Sequence, residues 1–379
     1  MDTHFRPTWA EISLDAVKHN IKAFRNVLPN STRIMAVVKA NAYGHGAVQV
    51  SVEAIRAGAE YLGVASLDEA LQLRDAGITA PIFVLGYTPP SGIEPAVDND
   101  ITIAIYSEDV LKAIEDRASV VDKPKPLKVH IKLDTGMGRI GLIEEAEAIA
   151  YIDRALQIQG LLVEGMFTHY ACADEKDKTC TLNQYNKFER IIQHYRERGI
   201  TFPYVHAGNS ATGIDTPELA VNMLRLGISL YGLYPSKYVD KDRVKLQPVM
   251  AYKTKVVHVK TVPADTGISY GLIYHTPKEE TIATIPVGYG DGYTRLLTGK
   301  AEVLIRGQRA PVVGNICMDQ CMVQVSHIPD VAVGDEVVLF GKQGDQEISA
   351  DELAESIGTI NYEITCMVNH RVPRIYSGK

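Results

Sequence analysis

The chain has 379 residues, of which 46% are hydrophobic and 22% are charged, a composition typical of one large or two medium-sized globular domains. Its 46 aspartates and glutamates outnumber its 39 lysines and arginines, and the net charge of −7 provides no broad basic surface. Binding to nucleic acid or to an acidic membrane is therefore not expected.

The first residues, MDTHFRPTWAEISLDAVKHN, lack the basic-then-apolar order of a signal peptide, and no later segment has the apolar length of a membrane span. We therefore expect a soluble cytoplasmic protein. Five cysteines, an odd number in a long chain, indicate reduced thiols. Cys317 and Cys321 lack the second pair or nearby histidine that completes a zinc site, so we interpret them as strand residues and expect no metal.

Strand-like runs alternate with amphipathic helical stretches from Arg33 to Leu246. Helices are predicted over residues 14–27, 48–57, 67–75, 107–117, 144–156 and 181–198. The strand-like runs are RIMAVVK, YLGVAS, PIFVLG, ITIAIY, LKVHIKLD, LLVEGMFTH, YVHAGN and, less clearly, NMLRLG. Eight apolar strands separated by helices predict an α/β fold in which the strands close into a parallel (β/α)8 barrel.

The texture changes after Leu246, where short β-rich runs are separated by Gly and Pro and only residues 350–357 have the pattern of a helix. This predicts a C-terminal, mostly antiparallel β-domain. We place the domains at residues 1–246 and 247–379. The N-terminal run TWAEISLD is also strand-like, and this strand at about residues 8–14 can belong to either domain.

Reactive side chains of a (β/α)8 barrel lie at the carboxyl ends of its strands and in the loops that follow. Lys39 ends the first run. A lysine shielded from water there is suited to Schiff-base formation because desolvation frees the amine, although a lysine paired with a carboxylate is an equal alternative. The same rule selects Asn41, Tyr43, His45, Lys132, Asp134, Arg139, Thr168, His169, Tyr170, His206, Asn209, Ser210 and Arg225.

One glycine motif offers a competing interpretation. Residues 136–141 read GMGRIG, which matches the dinucleotide-binding pattern G-x-G-x-x-G. The preceding strand is the fifth of the series rather than the first of a nucleotide-binding fold, and the next strand ends on Thr168 and His169 instead of an acidic residue. We therefore do not favour an oxidoreductase.

Nine motifs together resemble one known family. They are, in chain order, AVVKANAYGHG, KLDTGMGRIG, FTHYACAD, HAGNSAT, RLGISLYG, ISYG, PVGYGDGY, GNICMDQ and INYEITCMV. This set resembles the alanine racemases, pyridoxal-phosphate enzymes with an N-terminal barrel and a C-terminal β-domain. The resemblance covers nearly the whole chain and agrees with the two-domain division reached from the sequence pattern.

The resemblance implies that Lys39 is the cofactor lysine and also an acid/base group on the D-alanine face. It implies that Tyr270 of the partner subunit in a homodimer serves the L-alanine face, since racemisation needs proton exchange on both faces of a planar carbon. Taken alone, Tyr270 is an ordinary β-propensity residue. The implied role is the supply of D-alanine for peptidoglycan.

The resemblance also assigns cofactor contacts. Arg225 matches the arginine that faces the pyridine nitrogen, and His169 matches its partner, although alone a histidine here is typical of a packed core. The phosphate contacts match the hydroxyls of Tyr43, Ser210 and Tyr362 and the backbone N–H groups of Gly227 and Ile228. Without the resemblance, the two tyrosines would be interpreted as packing and the serine as a helix N-cap.

Substrate contacts follow in the same way. Arg139 matches the arginine that contacts the cofactor phenolic oxygen and the substrate carboxylate. Lys132 matches a lysine that is carbamylated in many relatives and then holds that arginine. Met318 matches the residue whose backbone N–H binds the substrate carboxylate from the partner chain. The residues that match the narrow entrance are Asp319, Tyr289 and Tyr293.

Three related classes are alternatives. Fold-type III decarboxylases place a glutamate against the pyridine nitrogen, where this sequence has Arg225. Single-domain pyridoxal-phosphate-binding proteins lack the equivalent of residues 247–379. Broad-specificity or serine racemases of the same fold remain the nearest alternative, because pocket volume discriminates weakly between side chains that differ by one methylene.

Overall fold

The computed structural model describes residues 5–120 and 125–378. Part of the N-terminal segment used in the signal-peptide prediction therefore lies outside the described residues. Internal contacts divide the chain into two units. Of the described residues, the β unit contains those up to Asp15, the segment Tyr43–Gly46 and those from Pro248, and the barrel unit contains those of Ala16–Ala42 and Ala47–Gln247. The domain boundary at residues 246 and 247 stays a prediction.

The barrel unit contains one eight-stranded parallel sheet. Its strands pair in chain order, and the last strand pairs with the first, with Met35 opposite both Tyr61 and Arg225. The strands are Arg33–Val37, Tyr61–Val64, Ile82–Val84, Thr102–Ile105, Leu127–Lys132, Leu161–Phe167, Tyr204–His206 and Met223–Leu226. The predicted (β/α)8 barrel is confirmed.

Asn222 joins the seventh and eighth strands, the one neighbouring pair outside the continuous ladder. Its backbone N–H donates to the Val205 carbonyl at 3.1 Å, and its side-chain oxygen accepts from the Val205 N–H at 2.8 Å. A side-chain amide thus supplies the hydrogen bonds that a longer strand would make. The sheet closes, and the carboxyl ends of all eight strands form one rim.

The helices around the barrel agree with the sequence pattern. The six predicted helices are found with ends within three residues of the prediction, whereas the six-residue helices Ile93–Asp98 and Ser210–Asp215 were not predicted because they are too short to show a period. The helices are Leu14–Val27, Ala47–Arg56, Leu67–Asp75, Ile93–Asp98, Glu108–Val120, Glu145–Ala155, Thr179–Glu197 and Ser210–Asp215, with 3₁₀ turns at Pro90–Gly92, Pro217–Ala220 and Ile228–Tyr231.

Large side chains fill the barrel interior. The rings of Phe83 and Phe167 meet edge to face with centroids 5.1 Å apart, and Met35, Tyr61 and Met223 are packed in the same buried cluster. Such an interior is a packed core rather than a channel, so the chemistry must be at the rim. Across residues 5–120 and 125–378, none of the helices has both the length and the apolar character that crossing a bilayer demands.

The β unit is built on a ten-stranded, mostly antiparallel sheet, as predicted. The strand Thr8–Ser13 pairs antiparallel with Met250–Lys255 and parallel with Arg374–Ser377. A separate small hairpin pairs Gly267–Ile268 with Tyr274–His275. The remaining strands are His258–Val262, Glu280–Ile285, Glu302–Ile305, Gln308–Val313, Cys321–Gln324, Glu336–Gln343 and Gln346–Ile348, and short 3₁₀ turns lie at Tyr270–Leu272, Tyr289–Asp291 and Arg295–Leu297.

Two expectations for the β unit were wrong. Ala350–Ile357 is a helix as predicted, but Asn361–Met367 is a second one. This second helix has only two turns and contains the β-branched residues Ile364 and Thr365, so its sequence shows little helical pattern. Cys321 begins a strand as expected, whereas Cys317 lies in the loop before it.

Candidate active site

Lys39 follows the first barrel strand and begins a left-handed helical turn. The four residues after it have φ between 51° and 54°, a left-handed turn that costs roughly 1–2 kcal/mol per residue. Two side chains anchor this turn within the barrel unit: Glu69 accepts from the Ala40 N–H at 2.7 Å, and Asn41 accepts from the Ala47 N–H at 2.8 Å. The rim lysine is therefore on a backbone held in a strained form.

Arg225, on the eighth strand and only 4% exposed, is fixed by four hydrogen bonds. Nη1 donates to His206 Nδ1 at 2.8 Å, and Nη2 donates to His169 Nδ1 at 2.9 Å and to the carbonyls of Thr168 and Ala207, each at 2.8 Å. Burial lowers the pKa of Arg225 to about 9, so the guanidinium remains a cation at neutral pH.

Two buried histidines extend the hydrogen bonds of Arg225 into the barrel. Arginine can only donate, so Nδ1 of His206 is an acceptor and the ring proton is on Nε2, which donates to His130 Nδ1 at 2.9 Å. Burial, followed by the charge of Arg225, lowers the pKa of His130 to about 3, and burial lowers the pKa of His206 well below its usual range. Both rings are neutral at physiological pH.

His169 marks the point on which the rim cations converge. Its pKa is held well below the usual range, first by burial and then by the charges of Arg225, Lys132, Arg139 and Lys39. Three cations and the partly neutral amine of Lys132, each on a different strand or loop, therefore act on one imidazole. This part of the rim is suited to an anionic ligand.

Gln184 holds the loop that carries His169. Its side-chain nitrogen donates to the His169 carbonyl at 3.0 Å, and its oxygen accepts from the Ala171 N–H at 2.8 Å. This residue is on the helix Thr179–Glu197, so one helix fixes the loop after the sixth strand.

The GMGRIG segment binds a carboxylate of its own chain. Asp134 Oδ1 accepts from the N–H groups of Gly136, Met137 and Gly138 at 3.0, 2.8 and 3.1 Å, and Oδ2 accepts from the Arg139 N–H at 2.8 Å. Although burial acts in the opposite direction, these four donors lower the pKa of Asp134 below its usual value. The glycine pattern is therefore a loop that presents Arg139.

Lys132 is a buried amine, only 2% exposed. Its Nζ donates to the Leu133 carbonyl at 3.1 Å and lies 4.9 Å from the centre of the Phe167 ring. Burial, followed by the charge of Arg225, lowers its pKa to about 7. A large fraction of this lysine is neutral near pH 7.

Hydrogen-bond donors gather where the eighth strand ends. Ser210 Oγ accepts from the N–H groups of Gly227 and Ser229 at 3.1 and 3.3 Å, next to the start of the 3₁₀ turn at Ile228. The strand before this turn pairs with the strand before Lys39. A hydroxyl and successive backbone amides are the donor set that a phosphate group requires, so these residues fit pyridoxal phosphate.

The β unit carries the other candidate residues. The rings of Tyr43 and Tyr362 lie 6.1 Å apart, and Tyr270 lies in the turn of the small hairpin with 75% of its surface exposed. Tyr289 and Met318 are also exposed. Tyr293 is buried, and its predicted position at the entrance stays a prediction.

The loops of Tyr289 and Met318 are joined to each other. The Tyr289 N–H donates to the Cys317 carbonyl at 3.1 Å, and the Gly290 N–H donates to the Met318 carbonyl at 2.9 Å. Asp319 is paired with Arg371 at 2.5 Å. Two predicted entrance residues, Tyr289 and Asp319, and the predicted carboxylate-binding residue Met318 are therefore on one connected piece of the β unit.

Sequence reasoning missed several residues that hold these groups, among them Glu69, Gln184, Asp291 and Asn315. Glu69, Gln184 and Asn315 make hydrogen bonds to the backbone of a distant segment, and Asp291 pairs with the distant Arg6 and Arg371, contacts that no local pattern reports. The strand-end rule had selected Asp134 and His206 without a role. Asn315 was visible only as a neighbour of Met318 within GNICMDQ.

A (β/α)8 barrel with two lysines and two arginines at its strand-end rim, followed by an antiparallel β unit, defines a class of two-domain barrel enzymes. The sequence matches the alanine racemase N-terminal domain over residues 12–235 and the alanine racemase C-terminal domain over residues 249–376. The chain belongs to the alanine racemase family, a family of pyridoxal-phosphate-dependent enzymes, which confirms the resemblance found in the motifs.

Similar proteins extend over the whole chain. An alanine racemase of Methanococcus maripaludis is 50% identical over 370 residues, which are 98% of each chain. The solved alanine racemase of Clostridium difficile 630 is 43% identical, covers 99% of this chain and 97% of its own, and superposes with a TM-score of 0.94. A histidine racemase of Leuconostoc mesenteroides is 33% identical, covers 99% of both chains and has a TM-score of 0.90.

Proposed function

We propose that the protein interconverts L-alanine and D-alanine with pyridoxal 5′-phosphate as cofactor, acting in the cytoplasm to supply D-alanine for peptidoglycan. The observation that carries the proposal is the buried Arg225, hydrogen-bonded to His169 and His206 at a strand-end rim that also carries Lys39 and Arg139, in a chain of the alanine racemase family. The cations of Lys39, Arg139 and Arg225 at one rim suit a ligand pair that carries a phosphate and a carboxylate.

The cofactor would be held by the residues that match the family's cofactor contacts. Lys39 would bind it covalently through the amine, and its phosphate would take hydrogen bonds from Tyr43, Ser210, Tyr362 and the N–H groups of Gly227 and Ile228. When bound, pyridoxal phosphate supplies a conjugated ring that stabilises negative charge on the substrate Cα.

Arg225 would face the pyridine nitrogen. A guanidinium can only donate hydrogen bonds and rarely gives up its proton, so it keeps that nitrogen unprotonated. The four contacts that fix its position, two of them to His169 and His206, support this role. An unprotonated ring withdraws electrons less strongly, which favours return of the proton over side reactions such as transamination.

Proton transfer on two faces needs two groups. We assign Lys39 to the D-alanine face and the partner subunit's Tyr270 to the L-alanine face of a shared site in a homodimer. The exposed apolar surface of the Tyr270 hairpin, which includes Leu272 and Ile273, supports association with a second chain.

Arg139 and the Met318 N–H of the partner subunit would bind the substrate carboxylate, and Asp319, Tyr289 and Tyr293 would line its entrance. Lys132 would become an anion by carbamylation and then hold Arg139. The neutral fraction of the Lys132 amine near pH 7 supports this modification, because only an uncharged amine adds carbon dioxide.

Subunit mixing tests the shared site. Lys39→Ala and Tyr270→Ala proteins are each expected to be inactive. After subunit exchange, activity should return to about a quarter of the wild-type value, because half of the dimers are mixed and each mixed dimer keeps one intact site. The same proteins mixed without exchange are the control. A mixture that stays inactive after confirmed exchange would contradict the shared site.

A broader specificity is the second candidate, favoured by the similarity to a histidine racemase at a TM-score of 0.90. Racemisation of L-alanine, L-serine, L-lysine and L-histidine, each with and without pyridoxal phosphate, separates the two. We expect alanine to dominate, with traces of serine turnover, since one hydroxyl or methylene discriminates weakly. Lysine or histidine turnover as fast as that of alanine would replace the narrow assignment.

A further inference from the structure

We propose that Ser269 and Asn315 form a reciprocal clamp that positions Tyr270, and that both are positioning residues for proton transfer on the L-alanine face. The inference rests on the proposed function, because it takes Tyr270 as the acid/base group. Its physical basis lies entirely within the β unit.

Tyr270 cannot be oriented by packing within its own chain. Its side chain is 75% exposed, at the turn between the two-residue strands Gly267–Ile268 and Tyr274–His275. A two-stranded hairpin of this length is not stable by itself. The position of the tyrosine therefore depends on what holds the backbone of the turn.

Two short hydrogen bonds connect the turn to the loop before Met318. The side-chain amide of Asn315 donates to the Tyr270 carbonyl at 2.6 Å, and the Ser269 hydroxyl donates to the Asn315 carbonyl at 2.6 Å. Each residue thus uses its side chain to bind the backbone of the other segment. The Ser269 oxygen also lies 3.4 Å from the sulfur of Cys317.

The backbone of Ser269 is strained in this arrangement. Its φ of 67° and ψ of −175° lie in a region that is almost restricted to glycine and costs a residue with a Cβ about 1–3 kcal/mol. Gly314 permits the close approach, since a Cβ there would lie 2.8 Å from the Ser269 Cβ. A serine persists in this conformation because its hydroxyl is bonded.

Loss of the clamp lets Ser269 relax toward an ordinary conformation, and the residue that follows it moves. A displacement of about 1 Å at a reacting group costs roughly 100-fold in rate. We therefore expect proton transfer to be slower on the L-alanine face, which Tyr270 serves, and unchanged on the D-alanine face, which Lys39 serves.

Asn315→Asp tests the amide. The substitution keeps the shape but replaces the donor by an acceptor, which repels the Tyr270 carbonyl. In the holoenzyme, we expect α-deuterium loss from L-alanine to water to slow roughly 10- to 100-fold, while loss from D-alanine is retained. Asn99→Asp is the matched control, since Asn99 makes the same kind of bond, at 2.9 Å to the Pro95 carbonyl, in the barrel unit.

Tyr270→Phe separates this inference from the proposed function. If Tyr270→Phe slows loss from L-alanine selectively and Asn315→Asp does not, the clamp is wrong and the two-base assignment stands. If Tyr270→Phe does not slow deuterium loss from L-alanine selectively, the two-base assignment is wrong. The proposed role of the clamp in proton transfer is then wrong as well.

A readout independent of turnover is amide hydrogen exchange of residues 266–275. Ser269→Ala and Ser269→Gly both lose the hydroxyl, but only alanine retains the Cβ strain. The clamp predicts faster exchange in Ser269→Ala than in Ser269→Gly, the reverse of what the intrinsic flexibility of glycine would give. Equal protection in Ser269→Ala and the wild type would overturn it.

Discussion

Arg225 donates to Nδ1 of His206 at 2.8 Å, and this one contact assigns the protons of two buried histidines. Because the guanidinium has no acceptor, His206 must be protonated on Nε2 and must donate inward to His130. The charge at the rim and the neutral rings below it therefore form one hydrogen-bonded unit.

Arg225→Lys should destabilise the protein and abolish racemisation. An ammonium lacks the planar fork that reaches His206 Nδ1, His169 Nδ1 and two carbonyls together. Each buried acceptor left without a donor costs about 1–3 kcal/mol, so we expect the free energy of unfolding in urea to fall by about 3 kcal/mol. Arg190→Lys, at an exposed ion pair with Glu145, is the control. An unchanged urea midpoint would contradict the network.

Because His130 and His206 are neutral in the folded protein, we predict that its stability decreases in acid. The pKa of His130 is 6.5 in the unfolded chain and about 3 in the folded protein. Between these two pH values the unfolded state binds more protons than the folded state. The free energy of unfolding therefore decreases as the pH falls. From pH 7 to pH 5 the His130 contribution is about 2 kcal/mol. His130→Gln, which keeps an acceptor for His206, should flatten the pH dependence of the free energy of unfolding by that amount.

An exposed histidine provides the comparison for this experiment. His327 contacts the Arg309 carbonyl at the surface. In His327→Gln, the free energy of unfolding should depend on pH between pH 5 and pH 7 as it does in the wild type. A slope that is the same in His130→Gln and in the wild type would show that His130 binds its proton equally well in the folded protein and in the unfolded chain, which contradicts the neutral buried ring.

Lys132 should carry a carbamate whose occupancy increases with pH. A pKa of about 7 makes the amine mostly neutral at pH 8 and mostly charged at pH 6. With ¹³C-labelled bicarbonate, a carbamate carbon resonance should appear at pH 8, weaken at pH 6 and be absent from Lys132→Arg. Lys342→Arg, at the surface, should keep the resonance. An intact amine in electron density at high bicarbonate would refute the modification.

Much of the fold could be predicted because its signals are local. Buried parallel strands appear as apolar runs, and six helices show their apolar period, so the barrel and the rim position of Lys39 followed from the sequence. The helix Asn361–Met367 has too few turns to show a period. The rim cations could be named from strand ends, but their convergence on His169 could not.

The residues that hold the site were hidden for a different reason. Asn315 and Tyr270 are 45 positions apart, and Glu69 is 29 positions from Ala40, yet each pair is joined by a side-chain-to-backbone bond. Such bonds involve the backbone of one partner, which has the same chemistry at every non-proline residue. No residue pattern specifies them before the fold is known.

Substitution of Asp291 should destabilise the β unit. It is fully buried, accepts from the Gly288 N–H at 3.0 Å, is paired with Arg371 at 3.0 Å and also contacts Arg6. Asp291→Asn leaves two partly exposed guanidinium groups beside an uncharged amide, and loss of a hydrogen bond to a charged group costs about 1.5–3 kcal/mol. Asp335→Asn, at the exposed pair with Arg306, should cost at most about 1 kcal/mol.

The same substitution should weaken substrate binding more than catalysis. Arg371 also holds Asp319, which is next to Met318, so loss of the Asp291 charge loosens the loop assigned to the substrate carboxylate. We expect the KM for alanine to rise roughly 10-fold with a smaller fall in kcat, because carboxylate binding acts on ground state and transition state alike. If kcat falls while KM stays constant, Asp291 acts on the proton-transfer step instead, and its assignment to the carboxylate loop is wrong.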